Sequence, residues 1–491
     1  RDSFIVQTEQ EALEYISHSI AKSVLKEEKK GDKLNYTKET IHTKLLPHLG
    51  ITSSTKEKAL FLGHIVNKLL STYLGFRSFD DIDNYSNKRF ESSGILLSEL
   101  FRNVFKQYLK TLTTNLQRRA KIMDNVEKIT KITNNFRHSM STGSWGPQKN
   151  AYVRTGVSQI VNRLSYASGL SYVRRVAIPM GKEARNVKMR QIHQSSFGFI
   201  CPADTPEGRM VGIVLNLSLL TRITRRIQPH IVKNIIKMSE NYIDVDDVDL
   251  CDISDYTKIF INGSMTGFTE DPEDFVLQIR GYRRTDLLDE NISIVYNQND
   301  DEVHISCDEG RLIRPVFPID DGSLRLKIND GTNWKTLVDK HKIVYIDPSE
   351  AQEGNIAMWP HEITNNHHYC EIHPSMMLGI CASTIPYPDH SQSPRNTYQS
   401  AMSKQAMGIP YNSHSIRADT ITQVLRTPQK PLVQTKPGHF MGFDDLPAGQ
   451  NAIVAINLYT GFNQEDSVLL NKSSIERGLF CADKYKTHKG D

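Results

Sequence analysis

No stretch of this 491-residue sequence approaches the roughly 18 consecutive apolar residues that a spanning helix needs, so no membrane segment is expected. Its six cysteines, Cys201, Cys251, Cys307, Cys370, Cys381 and Cys481, include no C-x-x-C pair. That spacing argues against both a disulfide framework and a zinc ribbon, and it suits a reducing compartment. Neither a G-x-x-x-x-G-K-[ST] loop nor a G-x-G-x-x-G turn occurs, which removes support for the common mononucleotide and dinucleotide folds. Internal repeats and low-complexity tracts are also missing. The opening residues, RDSFIVQTEQEALEYI, show no basic stretch ahead of an apolar one, so no secretory signal is expected. Both ends, at Arg1 and at Lys489-Gly490-Asp491, read as cuts.

Acids are scarce in one long segment and abundant in another. Residues 101 to 190 hold 18 Lys/Arg against only Asp124, Glu127 and Glu183. Residues 240 to 309 hold 19 acids against Lys258, Arg280, Arg283 and Arg284. The overall net charge of +4 hides this segregation. Two solvated faces would account for it, but ninety residues with almost no acids point to a polyanion such as nucleic acid on one surface. Hydrophobic content of 38% and charged content of 24% are those of a globular protein, and the length implies about three or four domains.

Apolar periodicity separates a helical start from a β-rich middle. Leu60, Leu62, Ile65, Leu69 and Leu70 fall at helical spacing, as do Leu96, Leu97, Leu100, Phe101, Val104, Phe105 and Leu109. Trp145 to Pro179 reads as helix and loop, broken at Gly146-Pro147. Short β-rich runs follow at Phe199-Ile200, Gly212 to Leu215, Lys258 to Ile261, Val303 to Ile305, Leu312 to Phe317 and Ile343 to Ile346, predicting a β-rich insertion of about 150 residues. Near the end, Asn451 to Tyr459 predicts a buried strand leading into the turn Thr460-Gly461-Phe462-Asn463.

That turn delivers Glu465 and Asp466. Such a pair can hold Mg²⁺, which takes one or two carboxylates together with substrate phosphates, although adjacent acids after a turn are commonly just hydrated. Residues 386 to 408, PYPDHSQSPRNTYQSAMSKQAMG, set Arg395 among neutral donors and small side chains, with Lys404 and Gln405 nine and ten residues on. A guanidinium without neighbouring acids is suited to gripping a phosphate bidentately; the same composition also suits an ordinary polar loop running into a short helix. His367-x-x-Cys370-x-x-His373 offers three zinc-type ligands without an apparent fourth. The acids Asp244, Asp246, Asp247 and Asp249 lack the glycine and distal glutamate of an EF-hand loop and read as a solvated acidic stretch.

Several long blocks go further than this. They are Leu74 to Leu97 with DDIDNYSNKR, Gly156 to Val176 (GVSQIVNRLSYASGLSYVRRV), Met189 to Leu219 (MRQIHQSSFGFICPADTPEGRMVGIVLNLSL), Cys370 to Gly408, and Pro428 to Phe480. In this order, over almost the whole chain, they resemble the second-largest, β-like subunit of multisubunit DNA-dependent RNA polymerases. At Ile82, Asn84 and Tyr85 the sequence departs from the D-D-R-D-H-F block of cellular eukaryotic members, and the N-K-R that follows resembles giant-virus polymerases.

The resemblance implies an α+β multidomain fold. Residues 1–84 correspond to the C-terminal part of the lobe, 85–143 to the returning part of the protrusion, and 144–223 to a mixed fork. Residues 224–372 correspond to β-rich external domains and 373–491 to the first part of the hybrid-binding domain. The resemblance also implies a subunit of a nucleotidyltransferase that copies template DNA into RNA from NTPs, inactive in isolation. Arg395 and Tyr398 would meet the incoming nucleotide, and Glu465 and Asp466 would lie near a second Mg²⁺ carried by it and shared with the largest subunit. Arg174, Arg175, Arg190 and Gln191 would lie near the template, the downstream DNA and the bridge helix, Glu207 in PADTPEG near that same helix, and Lys404 and Gln405 near the RNA 3′ region. Partners would be the largest subunit, smaller polymerase subunits, template DNA and the RNA–DNA hybrid, with zinc only in a C-terminal part that this chain lacks. The location would be the nucleus or, for a virus, a cytoplasmic viral factory or virion. A non-catalytic nucleic-acid-binding scaffold that retains the fold is the alternative.

Overall fold

The computed structural model describes residues 6–24, 33–50, 53–117, 130–145, 154–179, 187–248, 253–320, 322–327, 330–331, 333–488 and 490. Asp249 of the acidic run and residues 118–129, 146–153 and 180–186 of the basic segment lie outside them. The chain is mixed α and β and forms two compact units, each discontinuous in sequence: Arg1–Asp81 with Ile227–Asp308, and Ile82–Arg226 with Glu309–Asp491. The β-rich middle is thus shared between the units, with a change at Asp308/Glu309.

In the first unit the period-2 alternation of one strand organises both sides of a five-stranded sheet. Its order is Ile243–Asp244, Ser264–Thr269, Thr257–Ile261, Glu302–Ser306, Ser293–Asn297, antiparallel except between Thr257–Ile261 and Glu302–Ser306. Ile259 and Ile261 point to a core shared with Val232 and Ile236 of the helix Pro229–Ile236 and with Phe275 and Ile279 of the helix Pro272–Arg284. Phe260, between them, points the other way and joins Val245, Met265 and Phe268, against which Leu60 and Phe61 of the helix Thr55–Tyr73 pack. Local signals set the helix ends. Ser54 and Glu57 form a capping box. Asp271 caps the helix Pro272–Arg284, which has Pro272 in its first turn and Arg283 and Arg284 in its last, where positive charge opposes the helix dipole.

A polar network tightens the Phe260 side. Glu302, 1% exposed, receives Lys68 Nζ at 2.7 Å, His64 Nε2 at 3.3 Å and His304 Nε2 at 3.1 Å. Nearby, Arg77 grips Asp300 through Nε at 2.8 Å and Nη2 at 3.0 Å. Burial alone would raise the Glu302 pKa, but the hydrogen bonds from His304 and Lys68 outweigh it and hold it below the usual value. Burial lowers the pKa of His64, against the attraction of Glu302.

The second unit is built on the nine-residue strand Leu312–Asp320, which collects Arg222–Ile223, Val344–Ile346, Tyr369–Cys370 and Ser323–Leu324 as antiparallel partners. Ile356–Ala357 adds a parallel edge beside Tyr369–Cys370. Phe199, Ile200, Leu217 and Leu312 form one core cluster. Within it Arg314 is buried, ion-paired to Glu371 at 2.5 Å and stacked over Phe199. Gly198, at φ +77°, makes room for that guanidinium, because a Cβ there would come within 2.8 Å of Arg314 Nε. A second cluster joins Leu100 and Val104 of the helix Ser93–Gln117 to Phe136 and Trp145.

The predicted helices and most of the predicted strands are present, but Asn451 to Tyr459 corrects the reading. It forms no strand, and Ile453 and Ile456 are 104% and 97% exposed. The apolar, β-branched run Ala452 to Ile456 describes a segment able to pair, whereas β structure depends on a neighbour, and no described strand pairs with it. The Asn463 side chain holds its C-terminal end instead: Tyr459 N donates to Asn463 Oδ1 at 3.0 Å, and Asn463 Nδ2 donates to Asn457 O at 2.6 Å. The turn at 460–463 is present as predicted.

Candidate functional site

All the predicted site residues lie in the second unit. Arg395 stands in the first turn of the helix Ser393–Ser403, which Pro394 helps to start because its fixed φ suits the position and its missing N–H costs nothing there. The guanidinium is exposed and lies 5.4 Å from the centroid of Tyr398, one turn on. Among the described residues Arg395 makes no ion pair, so its charge is available to an anion. Tyr398 is 37% exposed on the same stretch.

At the other end of this helix, Lys404 is committed. Its Nζ lies 2.6 Å from Oδ1 of Asp204, a carboxylate only 1% exposed. Ser171 Oγ lies 3.5 Å from the other carboxylate oxygen, and Asn216 Nδ2 donates to the Asp204 carbonyl at 2.9 Å. Burial raises the Asp204 pKa, against the pull of Lys404. Gln405 is exposed.

The basic candidates divide in the same way. Arg174 Nη2 donates to the carbonyls of Ser218 at 2.5 Å and Thr221 at 2.9 Å, and burial lowers its pKa. Arg190 Nη1 donates to the carbonyls of Arg209 at 2.7 Å and Val211 at 2.9 Å. Gly212, at φ +70°, admits the Arg190 backbone, since a Cβ there would lie 2.3 Å from Arg190 O. Both arginines therefore brace loops of their own unit. Arg175, by contrast, is exposed over the Tyr172 ring at 4.6 Å, and Gln191 and Glu207 are exposed.

Glu465 and Asp466 follow the predicted turn, with Glu465 held at φ 53°. Both are exposed, and among the described residues neither is ion-paired. No hydrogen bond or ion pair joins them to Arg395 among the described residues. Uncommitted, hydrated carboxylates of this kind fit a Mg²⁺ that also takes phosphate oxygens and keeps its waters.

The His367, Cys370 and His373 group does not converge. Cys370 is fully buried beside Ile319 and Ala357, where burial raises its thiol pKa. His367 Nδ1 accepts from Thr364 N at 3.1 Å and His373 Nδ1 from Ser375 N at 3.2 Å, so each imidazole caps its own turn. No three His, Cys, Asp or Glu side chains among the described residues are grouped to hold a metal ion.

Asp204 is the residue that sequence reasoning passed over. Its signal was a carboxylate directly after Ile200-Cys201-Pro202-Ala203, an apolar setting in which a charge requires a partner.

Four family models match the chain in order: RNA polymerase Rpb2 domain 2 over residues 1–91, domain 3 over 159–223, domain 4 over 259–320 and domain 6 over 381–490. The DNA-directed RNA polymerase II subunit 2 of Arabidopsis thaliana is 39% identical over all of this chain and 43% of its own length. The probable DNA-directed RNA polymerase II subunit RPB2 homolog of Invertebrate iridescent virus 6 is 40% identical over 91% of the chain and 40% of its own length. The DNA-directed RNA polymerase subunit Rpo2 of Sulfolobus acidocaldarius is 37% identical over 97% of the chain and 43% of its own length. The chain spans less than half the length of each of these relatives.

Proposed function

The chain belongs to the family of second-largest RNA polymerase subunits, and from that premise we propose that it serves a multisubunit DNA-directed RNA polymerase at the wall facing the incoming nucleotide and the RNA–DNA hybrid. The observation that carries this is Arg395: an exposed guanidinium with no ion-pair partner among the described residues, displayed at the start of a helix whose far end is tied down through Lys404. On this reading residues 1–84 are lobe, 85–143 protrusion, 144–223 fork, 224–372 external domains and 373–491 the start of the hybrid-binding domain. The partners are the largest and smaller polymerase subunits. The compartment is the nucleus, or a viral factory or virion if the source is viral.

In the reaction the RNA 3′ oxygen bonds to the α-phosphorus of an NTP, and the bridging oxygen leaves with pyrophosphate. Arg395 binds and orients the triphosphate, with Tyr398 beside it. Arg175, Gln191 and Gln405 present polar groups to nucleic acid without reading its sequence, as a general transcriptase requires. Glu465 and Asp466 would hold the Mg²⁺ that arrives with the nucleotide, which when bound supplies positive charge against the phosphate oxygens. The first-metal acids are assigned to the largest subunit.

Primer extension tests this division of labour. With Mg²⁺ and four NTPs the isolated chain should synthesise no RNA, whereas the complex assembled with the largest subunit should copy the template. The isolated chain should bind hybrid with an affinity that falls steeply as salt rises. Templated synthesis by this chain alone, or salt-independent binding, contradicts the proposal.

A further inference from the structure

The helix that presents Arg395 has almost no apolar hold on its unit. Of its residues Ser393 to Ser403 only Ser400 is buried, and Met402 is 55% exposed. Polar anchors hold it instead. Asn396 Nδ2 donates to Pro388 O at 2.8 Å near its start, and Ser165 Oγ donates to Ser403 O at 3.1 Å near its end. The strongest is the ion pair at the C-cap, where Lys404 Nζ meets the nearly inaccessible Asp204 at 2.6 Å.

Asp204 is itself fixed from several sides. Its backbone N–H points to Cys201 Sγ at 3.3 Å, its carbonyl accepts from Asn216, and its second carboxylate oxygen faces Ser171. An ammonium neutralised at that distance contributes little net attraction to a phosphate farther away. Removing either partner would leave a buried charge or an unpaired ammonium at the end of the helix. Nine residues at about 1.5 Å each place Arg395 roughly 13 Å from that anchor, on one rigid element.

We propose that Asp204 is a positioning residue for nucleotide addition: through Lys404 it fixes the helix that aims Arg395, and Lys404 acts as this anchor rather than as a phosphate contact. The inference rests on the polymerase reading above. It departs from the sequence expectation for Lys404 and gives a role to a carboxylate that expectation left unassigned.

The test compares Asp204→Asn, Lys404→Met, Lys404→Arg and the double variant Asp204→Asn/Lys404→Met in the assembled polymerase, with Arg395→Ala as reference. Each complex is assayed by NTP titration and by the salt dependence of hybrid binding. The inference expects Asp204→Asn and Lys404→Met each to lower kcat/KM for NTP on the order of tenfold or more, since small displacements of a positioning element are costly. The double variant should be no worse than the worse single change, because both break one contact. Lys404→Arg, which keeps the pair, should recover part of the loss, and the salt slope should be unchanged throughout.

A phosphate contact predicts the opposite pattern. Lys404→Met would reduce the magnitude of the salt slope by about 0.7 to 0.9, while Asp204→Asn would leave hybrid binding intact or tighten it; that result overturns the inference. If Asp204→Asn prevents assembly, recovery of assembly in the double variant supports the pair, and failure of the double variant where Lys404→Met alone assembles counts against it. Unchanged NTP kinetics in Arg395→Ala would break the polymerase reading itself, whereas a defect there with a silent Asp204→Asn breaks only this inference.

Discussion

Glu302 in the first unit and Arg395 in the second are both charged residues on regular elements, yet their surroundings differ completely. Glu302 is 1% exposed and shared among Lys68, His64 and His304. Arg395 is exposed and, among the described residues, has no ion-pair partner. Charge that is closed on itself ties a helix to a sheet; charge left open is available to a ligand. The same division runs inside the second unit, where Arg174 and Arg190 are tied to carbonyls of their own chain and Lys404 to a buried carboxylate, while Arg175, Glu465 and Asp466 are exposed and, among the described residues, have no ion-pair partner. A basic composition is therefore only an upper limit on what can meet nucleic acid.

The largest effect should come from opening the closed network. Glu302→Ala removes two charge-assisted hydrogen bonds, from Lys68 and His304, leaves Lys68 only Asp300 at 3.8 Å, and should cost the first unit about 3 kcal/mol. Hydrogen exchange at the amides of Thr257–Ile261 and Glu302–Ser306 would show it as lost protection; protection equal to the parent's would mean the network is ornamental. The pH dependence follows from the same groups. His64 has a lowered pKa in the fold, so its contribution is present above about pH 6.5 and fades as pH falls towards its folded value. Glu302 is lowered too, so its contribution is present above about pH 4.3 and is lost on further acidification. Acid should therefore loosen these strands in two stages, and Glu302→Ala should remove the lower one.

A smaller effect is expected from reshaping the open charge. Arg395→Lys keeps the sign but loses the planar fork, so it should restore only part of what Arg395→Ala loses in kcat/KM for NTP. Full recovery would show that a point charge suffices. Glu465→Gln with Asp466→Asn should raise the Mg²⁺ concentration needed for half-maximal synthesis while leaving hybrid binding nearly unchanged; an unaltered Mg²⁺ response would remove the pair from the nucleotide site.

The smallest effect belongs to the exposed segment before that pair. Ile456→Ser should change the stability of this chain by no more than about 0.5 kcal/mol, because the side chain is already in water. A loss of several kcal/mol in a denaturant titration would mean that the segment is packed as a strand after all.

Local pattern made much of the architecture legible. The spacing of Leu60 to Leu70 and of Leu96 to Leu109 marks the helices Thr55–Tyr73 and Ser93–Gln117, and the runs at Lys258, Val303 and Leu312 mark strands at those places. What depends on a distant partner was not legible. Asn451 to Tyr459 has the apolar, β-branched run of a buried strand but, among the described residues, no strand that pairs with it. Arg174, Arg190 and Lys404 look alike in a basic sequence, and only the fold shows that backbone carbonyls hold the two guanidinium groups in place and that a buried aspartate, 200 residues away along the chain, pairs with Lys404. Arg395 was legible because residues 390 to 408 around it hold no acid and the nearest one, Asp389, is six residues away, which a sequence does record.

That open guanidinium is the point on which the account turns, and steady-state NTP titration of the assembled polymerase carrying Arg395→Ala tests it most directly. Loss of a charge-assisted phosphate contact should lower kcat/KM by about ten- to a hundredfold, roughly 1.5 to 3 kcal/mol, with assembly and hybrid binding intact. Unchanged kcat/KM in a correctly assembled enzyme would contradict the account and leave Arg395 an ordinary surface residue.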